Sequence, residues 1–276
     1  MTQIDLYQRV SLACSKLLTN AYSTSFSSGI KTLSSRFHDP IYAIYGFVRL
    51  ADEIVDTFHQ HDKKVLFDRF KQDTYWALEE KISLNPILES FQRVYHEFEM
   101  EQELVDAFLY SMELDLFETH YDEVGYKRYI YGSAEVVGLM CLHVFCQGDK
   151  SQYNALKSDA CALGSAFQKI NFLRDIKSDF DERGRVYFPG IDYLNMTEID
   201  KKEIEADIQL DFDAGLRGIN RLPMEARKGV LLAYLYYTKL FERIKLAPLE
   251  QIKAERVRVP DREKLWIFIK MKCGLV

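Results

Sequence analysis

Two pairs of aspartates carry the spacing of a chemical site. Asp52 and Asp56 are four residues apart, and so are Asp175 and Asp179, with Asn171 four residues before Asp175. On a helix that interval stacks side chains along one face, about 6 Å per step. Both stripes sit among apolar neighbours: Ile54 and Val55 in the first, Ile170, Phe172, Leu173 and Ile176 in the second. Carboxylates stacked on a buried face repel each other and are costly to desolvate. A cation removes both problems. A hard dication such as Mg2+ takes one or two carboxylates and leaves positions for water and phosphate oxygens. One such pair alone is commonly a solvated helix face. Two pairs in apolar helices, with Arg49 one turn before Asp52 and Arg174 beside Asp175, read as the two jaws of a multi-metal clamp on a diphosphate.

Further residues fall within reach of these stripes. Tyr45 lies one turn before Arg49, where a ring face near a substrate cation is worth about 0.5–2 kcal/mol. Gln168 is three residues before Asn171. The run Tyr22 to Ser28 is rich in hydroxyls, which serve either as helix caps or as donors to diphosphate oxygens, with Phe26 on an apolar wall. His59, His61 and Asp62 follow the first acidic helix and read as a turn rather than a metal cluster.

The elements that must position these groups are helices. Thirteen glycines and six prolines fall mostly between periodic segments, and no stretch alternates long enough for a strand, so the chain reads as all-α. Helices are expected over 3–20, from Asp39-Pro40 to about Phe58, and over 62–81, 86–98, 102–121, 126–145, 153–177, 197–220, 224–245 and 260–273. Asp39 would be the N-cap and Pro40 the first helical residue. The helix over 126–145 is the most apolar. Its small residues Gly132, Ser133, Ala134 and Gly138 permit close helix approach or leave room for a ligand, and Glu135 and His143 read as satisfied buried polar groups. Asp115 and Glu118 have no direction that the sequence decides. Trp266, Ile267, Phe268 and Ile269 read as core packing, with peripheral membrane contact as the alternative.

At 276 residues and 47% hydrophobic, the chain can build one large core, and a single domain over 1–276 is expected. The net charge of −6 argues against nucleic acid as a partner. Five cysteines with no CxxC spacing read as reduced thiols. The start Met-Thr-Gln-Ile-Asp reads as no signal peptide. The apolar run Val136 to Phe145 is too short for a bilayer. A cytoplasmic location is the resulting expectation.

Asp52-Glu53-Ile54-Val55-Asp56 and Asn171-Phe172-Leu173-Arg174-Asp175-Ile176-Lys177-Ser178-Asp179 resemble the two aspartate-rich motifs of squalene and phytoene synthases. Three more segments are similar in kind and order: Tyr22-Ser23-Thr24-Ser25-Phe26-Ser27, Tyr131-Gly132 through Val137-Gly138, and Arg183-Gly184-Arg185-Val186-Tyr187-Phe188-Pro189. The resemblance spans roughly residues 10 to 270. It implies the class I terpenoid synthase fold, a single helical bundle around a central cavity. It implies a head-to-head condensation of allylic diphosphates, with Mg2+ or Mn2+ on Asp52, Asp56, Asn171, Asp175 and Asp179. The four aspartates would be catalytic, with Tyr45 and Tyr131 lining the cation. Diphosphate and substrate contacts would come from Ser23, Ser25, Phe26, Arg49, Gln168, Arg174, Arg185, Tyr187, Tyr236 and Arg256, with Arg258 as the alternative to Arg256. The segment around Asp52 is most similar to bacterial phytoene synthases. That points to two geranylgeranyl diphosphates giving 15-cis-phytoene in carotenoid biosynthesis, without NADPH. A C30 synthase using farnesyl diphosphate, giving dehydrosqualene or squalene, is the alternative. A non-catalytic scaffold of the same fold would be expected to have lost its acidic pairs. Terpene cyclases and chain-elongating synthases usually carry DDxxD where this chain has Asp-Glu-Ile-Val-Asp.

Overall fold

The computed structural model describes residues 2–273. They form α1 (Gln3–Tyr22), α2 (Thr24–Ile30), α3 (Ser35–Asp56), α4 (Lys63–Glu80), α5 (Pro86–Glu97), α6 (Gln102–Leu114) and α7 (Glu123–Ile130). A π-helical turn (Tyr131–Glu135) leads into α8 (Val136–Cys146). Then come α9 (Lys150–Arg183), α10 (Glu198–Arg221), α11 (Met224–Leu246), α12 (Leu249–Ala254) and α13 (Asp261–Lys272). Among the described residues no strand forms, and one isolated bridge joins His120 to Val186.

Each acidic helix is anchored by its own apolar cluster. In α3, Phe47 is fully buried and stacks on Phe91 at 3.9 Å, with Phe70 and Phe108 at 5.7 and 5.1 Å. In α9, Phe172 stacks on Tyr187 at 3.9 Å beside buried Ile170, Leu173 and Ile176. Each such side chain contributes roughly 1.5–3 kcal/mol when buried. The two clusters hold the apolar faces of α3 and α9, which leaves their acidic residues facing the space between.

Helix α9 is 34 residues long, about 50 Å. Asp149 caps it by accepting from the Gln152 N–H at 2.9 Å. Gly184 ends it at φ +62, a conformation that costs glycine little. The Gly184 and Arg185 N–H groups then donate to Phe180 O and Asp179 O at 2.9 and 3.0 Å. The expected helix over 153–177 was therefore too short at both ends.

Other boundaries also differ. α3 begins at Ser35 and holds Pro40 inside it, not at an Asp39 cap. The extra turn buries Phe37, which meets Phe145 edge-on at 5.5 Å, and that packing outweighs the backbone bond proline cannot make. α6 stops at Leu114 rather than near 121, because Asp115 turns into the core. The π turn was not anticipated. A Cβ on Gly132 would lie 2.3 Å from Ala107 O on α6, so glycine permits the close approach there. Gly138, by contrast, lines an apolar cavity.

The helical run Glu123–Cys146 is, by length and composition, long and apolar enough to cross a bilayer. The reading of Val136–Phe145 as too short looked at only part of it. It packs against α6 and α9 as a core helix. α13 buries none of its residues, and Leu265, Trp266 and Ile269 are exposed, so the core reading of this helix is corrected. His143 bonds to Glu101 at 2.5 Å. Burial raises the Glu135 carboxyl to about 7, with a hydrogen bond from Cys161 opposing it.

Candidate active site

The two acidic stripes meet through one arginine. Arg183 Nη2 lies 3.2 Å from Asp56 Oδ1, and its Nη1 donates to Asp179 Oδ1 at 3.2 Å. Asp56 ends α3 and Arg183 ends α9, so one guanidinium spans the gap between the helices. Asp52 lies one turn inside Asp56, and Arg49 balances it at 3.7 Å. Arg49 also pairs with buried Glu53 and lies over the Tyr22 ring at 4.3 Å. Glu53 thus orients an arginine.

Asp175 is held by two guanidinium groups. Arg174 donates to both its oxygens, at 3.0 and 2.6 Å. Arg256 does the same from the α12–α13 connection, at 2.7 and 3.2 Å. This distinguishes Arg256 from Arg258, which lines the same cavity without that pairing. Asn171 Oδ1 accepts from the Tyr237 hydroxyl at 3.2 Å, and the Tyr237 ring stacks on Phe167 at 4.0 Å.

The electrostatics are those of crowded carboxylates in low dielectric. Asp52 is pushed up to about 7, first by desolvation and then by Asp56, with Arg49 opposing. A third of its side-chain surface is open, so solvent screening tempers this rise. Asp179 is raised to about 6 by burial, against the pull of Arg183. Asp115 is raised to about 7 by burial, against Arg185.

Two cavities lie beside these helices; none of Asp52, Asp56, Asn171, Asp175 and Asp179 lines either, and the first meets the acidic centre through Arg174 and Arg256, which hold Asp175. A polar one of about 570 Å3 is lined by Ser23, Ser25, Arg174, Tyr236, Tyr237, Arg256, Arg258 and Lys264. An apolar one of about 300 Å3 runs between α2, α3, α8, α9, α10 and α11. Phe26, Tyr45 and Ala233 line both, and Phe26 and Tyr45 stack at 4.5 Å. A pair of ring faces therefore stands where the polar chamber meets the apolar one. Ser23 also caps α2 by accepting from the Phe26 N–H at 3.1 Å, so it lines the chamber and terminates a helix at once.

Several expected residues lie elsewhere. Tyr131 opens the π turn beside Glu103 and Cys161 and lines neither cavity. Gln168 is half-buried on α9 and also lines neither. Arg185 and Tyr187, expected as diphosphate or lid groups, are buried. Arg185 pairs with Asp115 at 2.9 Å and donates to the Tyr187 hydroxyl at 2.8 Å. Tyr236 lines the polar cavity as expected, but Tyr237 is the tyrosine that bonds to Asn171. His59 and His61 lie in a turn before the Asp62 cap of α4. Arg183 and Tyr237 were missed. The signal for Arg183 was present, since it continues the interval of Asn171, Asp175 and Asp179 by one more step of four.

Among the described residues no three acidic, histidine or cysteine side chains converge on one point. A dication here would take one or two carboxylates per ion, with phosphate oxygens completing its shell. The donor set of carboxylates and one amide oxygen is hard, and a cation already bridges Asp56 and Asp179 in the form of Arg183. The residues present fit Mg2+.

Comparisons with known proteins bear on the family and the fold. The squalene/phytoene synthase family model matches residues 19–263. The phytoene synthase of Rhodobacter capsulatus is 28% identical, covering 92% of this chain and 78% of its own. The 4,4'-diapophytoene synthase of Staphylococcus haemolyticus is 26% identical over 67% of this chain and 65% of its own. The chain spans 63% of the length of the rice and maize phytoene synthases it matches. A crystal structure of a dehydrosqualene synthase with a ligand superposes with a TM-score of 0.80 at 19% identity, covering 98% of both chains.

Proposed function

The chain belongs to the squalene/phytoene synthase family, and from that premise we propose that it condenses two geranylgeranyl diphosphates head-to-head, through prephytoene diphosphate, to 15-cis-phytoene. Members of this family are head-to-head prenyltransferases, and the fold is the all-helical class I terpenoid synthase fold. The observation that carries the reading is the junction at Phe26 and Tyr45. There a chamber lined with arginines and hydroxyls, beside two acidic helices, opens into an apolar cavity.

Asp52, Asp56, Asn171, Asp175 and Asp179 would hold Mg2+, or Mn2+ in its place, which would supply positive charge for the leaving diphosphate. Arg174 and Arg256 present fixed guanidinium donors on the same side, and Ser23 and Ser25 add hydroxyl donors. Donors fixed in place before reaction stabilise developing charge at no reorganisation cost. The Phe26 and Tyr45 rings face the allylic cation and keep water from it. Attack by the double bond of the second substrate and loss of a proton give a cyclopropylcarbinyl diphosphate. Its ionisation, rearrangement and loss of a second proton give the C40 triene, and two diphosphates leave in all. No hydride is consumed, so NADPH is not required.

The C20 assignment is supported by the relatives named phytoene synthase. The C15 alternative, two farnesyl diphosphates giving a C30 product, is supported by the diapophytoene synthase relative and the dehydrosqualene synthase fold likeness. We place the protein in the cytoplasm, with exposed Leu265, Trp266 and Ile269 of α13 touching a membrane surface when the apolar product leaves.

Product analysis tests the reading. Purified protein with Mg2+ and either substrate, with and without NADPH, is expected to give a C40 triene from the C20 diphosphate, unchanged by NADPH. A C30 product from the C15 diphosphate alone would move the assignment to the alternative. No product from either would overturn it.

A further inference from the structure

We propose that α13 docks on a lipid surface carrying anionic headgroups, through the face made by Arg262, Leu265, Trp266, Ile269 and Lys272, and so holds the polar chamber against that surface. This rests on the membrane contact proposed above and adds the charge of the lipid and the residues that recognise it. Docking of this kind needs neither substrate nor product.

In this 12-residue helix the exposed positions are Asp261, Arg262, Leu265, Trp266, Ile269 and Lys272. After Asp261 they recur at helical steps, so they form one face. The water-facing side of an ordinary surface helix is polar. Here the middle of that side is Leu265, Trp266 and Ile269, which are 58%, 57% and 40% exposed. On the other side Ile267, Phe268 and Met271 are half-buried. The helix therefore keeps an apolar stripe turned outward in addition to the one it packs.

A cation stands at each end of the outward stripe, Arg262 before it and Lys272 after it. Lys270 lies over the Trp266 ring at 5.6 Å, and Lys272 over the Phe268 ring at 5.7 Å. Such stems cover apolar surface while their charged ends stay in the polar layer. The two carboxylates of α13 have cations of their own: Glu263 pairs with Arg243, and Asp261 with Lys264. From Glu255 to Lys272 the chain carries six cations and three carboxylates, a net +3 in a chain of net −6. An anionic surface attracts this end and repels the rest, which fixes both the partner and the orientation. A second copy meeting the same face would set Arg262 and Lys272 against like charges, so charge complementarity favours the lipid.

The same helix is a wall of the site. Pro260, Asp261 and Lys264 line the polar chamber, and Arg256 in the connection before α13 holds Asp175. With the outward stripe in the headgroup layer, the chamber stands about one helix diameter, roughly 10 Å, from the lipid surface. A tryptophan at that level is in its preferred environment, with its ring in the apolar boundary and its N–H toward water.

The test uses the whole chain and vesicles of phosphatidylcholine, with and without phosphatidylglycerol. The chain holds two tryptophans, Trp76 and Trp266, so Trp76→Phe leaves Trp266 as the reporter. Co-sedimentation and a blue shift of Trp266 emission are expected with the anionic vesicles, both weakened by salt. Arg262→Glu with Lys272→Glu is expected to weaken binding at least about tenfold. Leu265→Ser with Ile269→Ser is expected to abolish the blue shift with helical circular dichroism unchanged. Equal binding to neutral vesicles would overturn the charge assignment, and sedimentation with unchanged Trp266 emission would overturn the assignment to α13. No binding to either vesicle would overturn the membrane contact as a whole; the condensation is tested separately by product analysis. A dimer that Leu265→Ser with Ile269→Ser splits, without vesicle binding, would overturn the lipid and give the face to a second copy.

Discussion

Arg183 lies 3.2 Å from Asp56 across the gap between α3 and α9, and it holds Asp179 at the same distance. The guanidinium neutralises a carboxylate on each acidic helix, a charge that a bound dication would also supply. Replacing it by Arg183→Gln leaves two carboxylates with no cation between them. In metal-free buffer this variant is expected to lose about 1–2 kcal/mol of stability, read as a melting temperature lower by a few degrees. Mg2+ should restore it by more than it stabilises the wild type. An equal Mg2+ response in both proteins would show that arginine and metal do not share these carboxylates.

The aspartates themselves are tested by activity. Asp52→Asn and Asp175→Asn keep size and remove charge. Each is expected to lower turnover at least about a hundredfold, the scale seen when one preorganised electrostatic group at a leaving group is lost. Helical circular dichroism should be unchanged. Full turnover in either variant would remove that residue from the reacting centre.

The raised carboxyls give the metal-free protein a pH dependence of known sign. Asp52 and Asp115 stand near 7 and Asp179 near 6, all raised chiefly by burial. In the unfolded chain such groups titrate near about 4. Between these values the folded state holds protons that the unfolded chain has lost, so stability falls as pH rises and levels off above about 7. A melting curve in EDTA is expected to drop from pH 5 to pH 8. With Mg2+ the drop should shrink, because the ion binds the deprotonated form. A melting temperature that climbs over this range in EDTA would contradict the crowding.

What could be read from the sequence was local. The interval of four puts Asp52 with Asp56 and Asp175 with Asp179 whatever the tertiary fold does. The order of five short segments then identified the architecture. What could not be read depended on where helices end. Whether Arg183 or Arg185 meets the acidic centre turns on Gly184, whose left-handed backbone stops α9 and sends the next residue inward. Tyr236 and Tyr237 differ by one step of about 100°, and the stacking of Tyr237 on Phe167 decides which reaches Asn171. Pro40 misled for the same reason: a buried Phe37 extends α3 past the expected cap.

Arg185 gives the clearest contrast between a residue that touches substrate and one that supports the fold. Its guanidinium and the Asp115 carboxylate are 7% and 6% exposed and 2.9 Å apart. The Tyr129 hydroxyl lies 2.9 Å from both Asp115 oxygens, and Arg185 donates to Asp115 O at 2.7 Å. Nothing in this network lines the polar cavity. Arg185→Met removes the cation that favours the ionised form of Asp115, leaves a buried carboxyl that must take up a proton or stay unpaired, and is expected to cost about 3–5 kcal/mol in denaturant unfolding. Asp115→Leu with Arg185→Met removes both charges and should recover most of that loss, a coupling that a double-mutant cycle reads directly. The KM for the allylic diphosphate should be unchanged in the recovered double variant. If stability returns but KM stays raised, Arg185 reaches the diphosphate during turnover and the buried pair is its resting state.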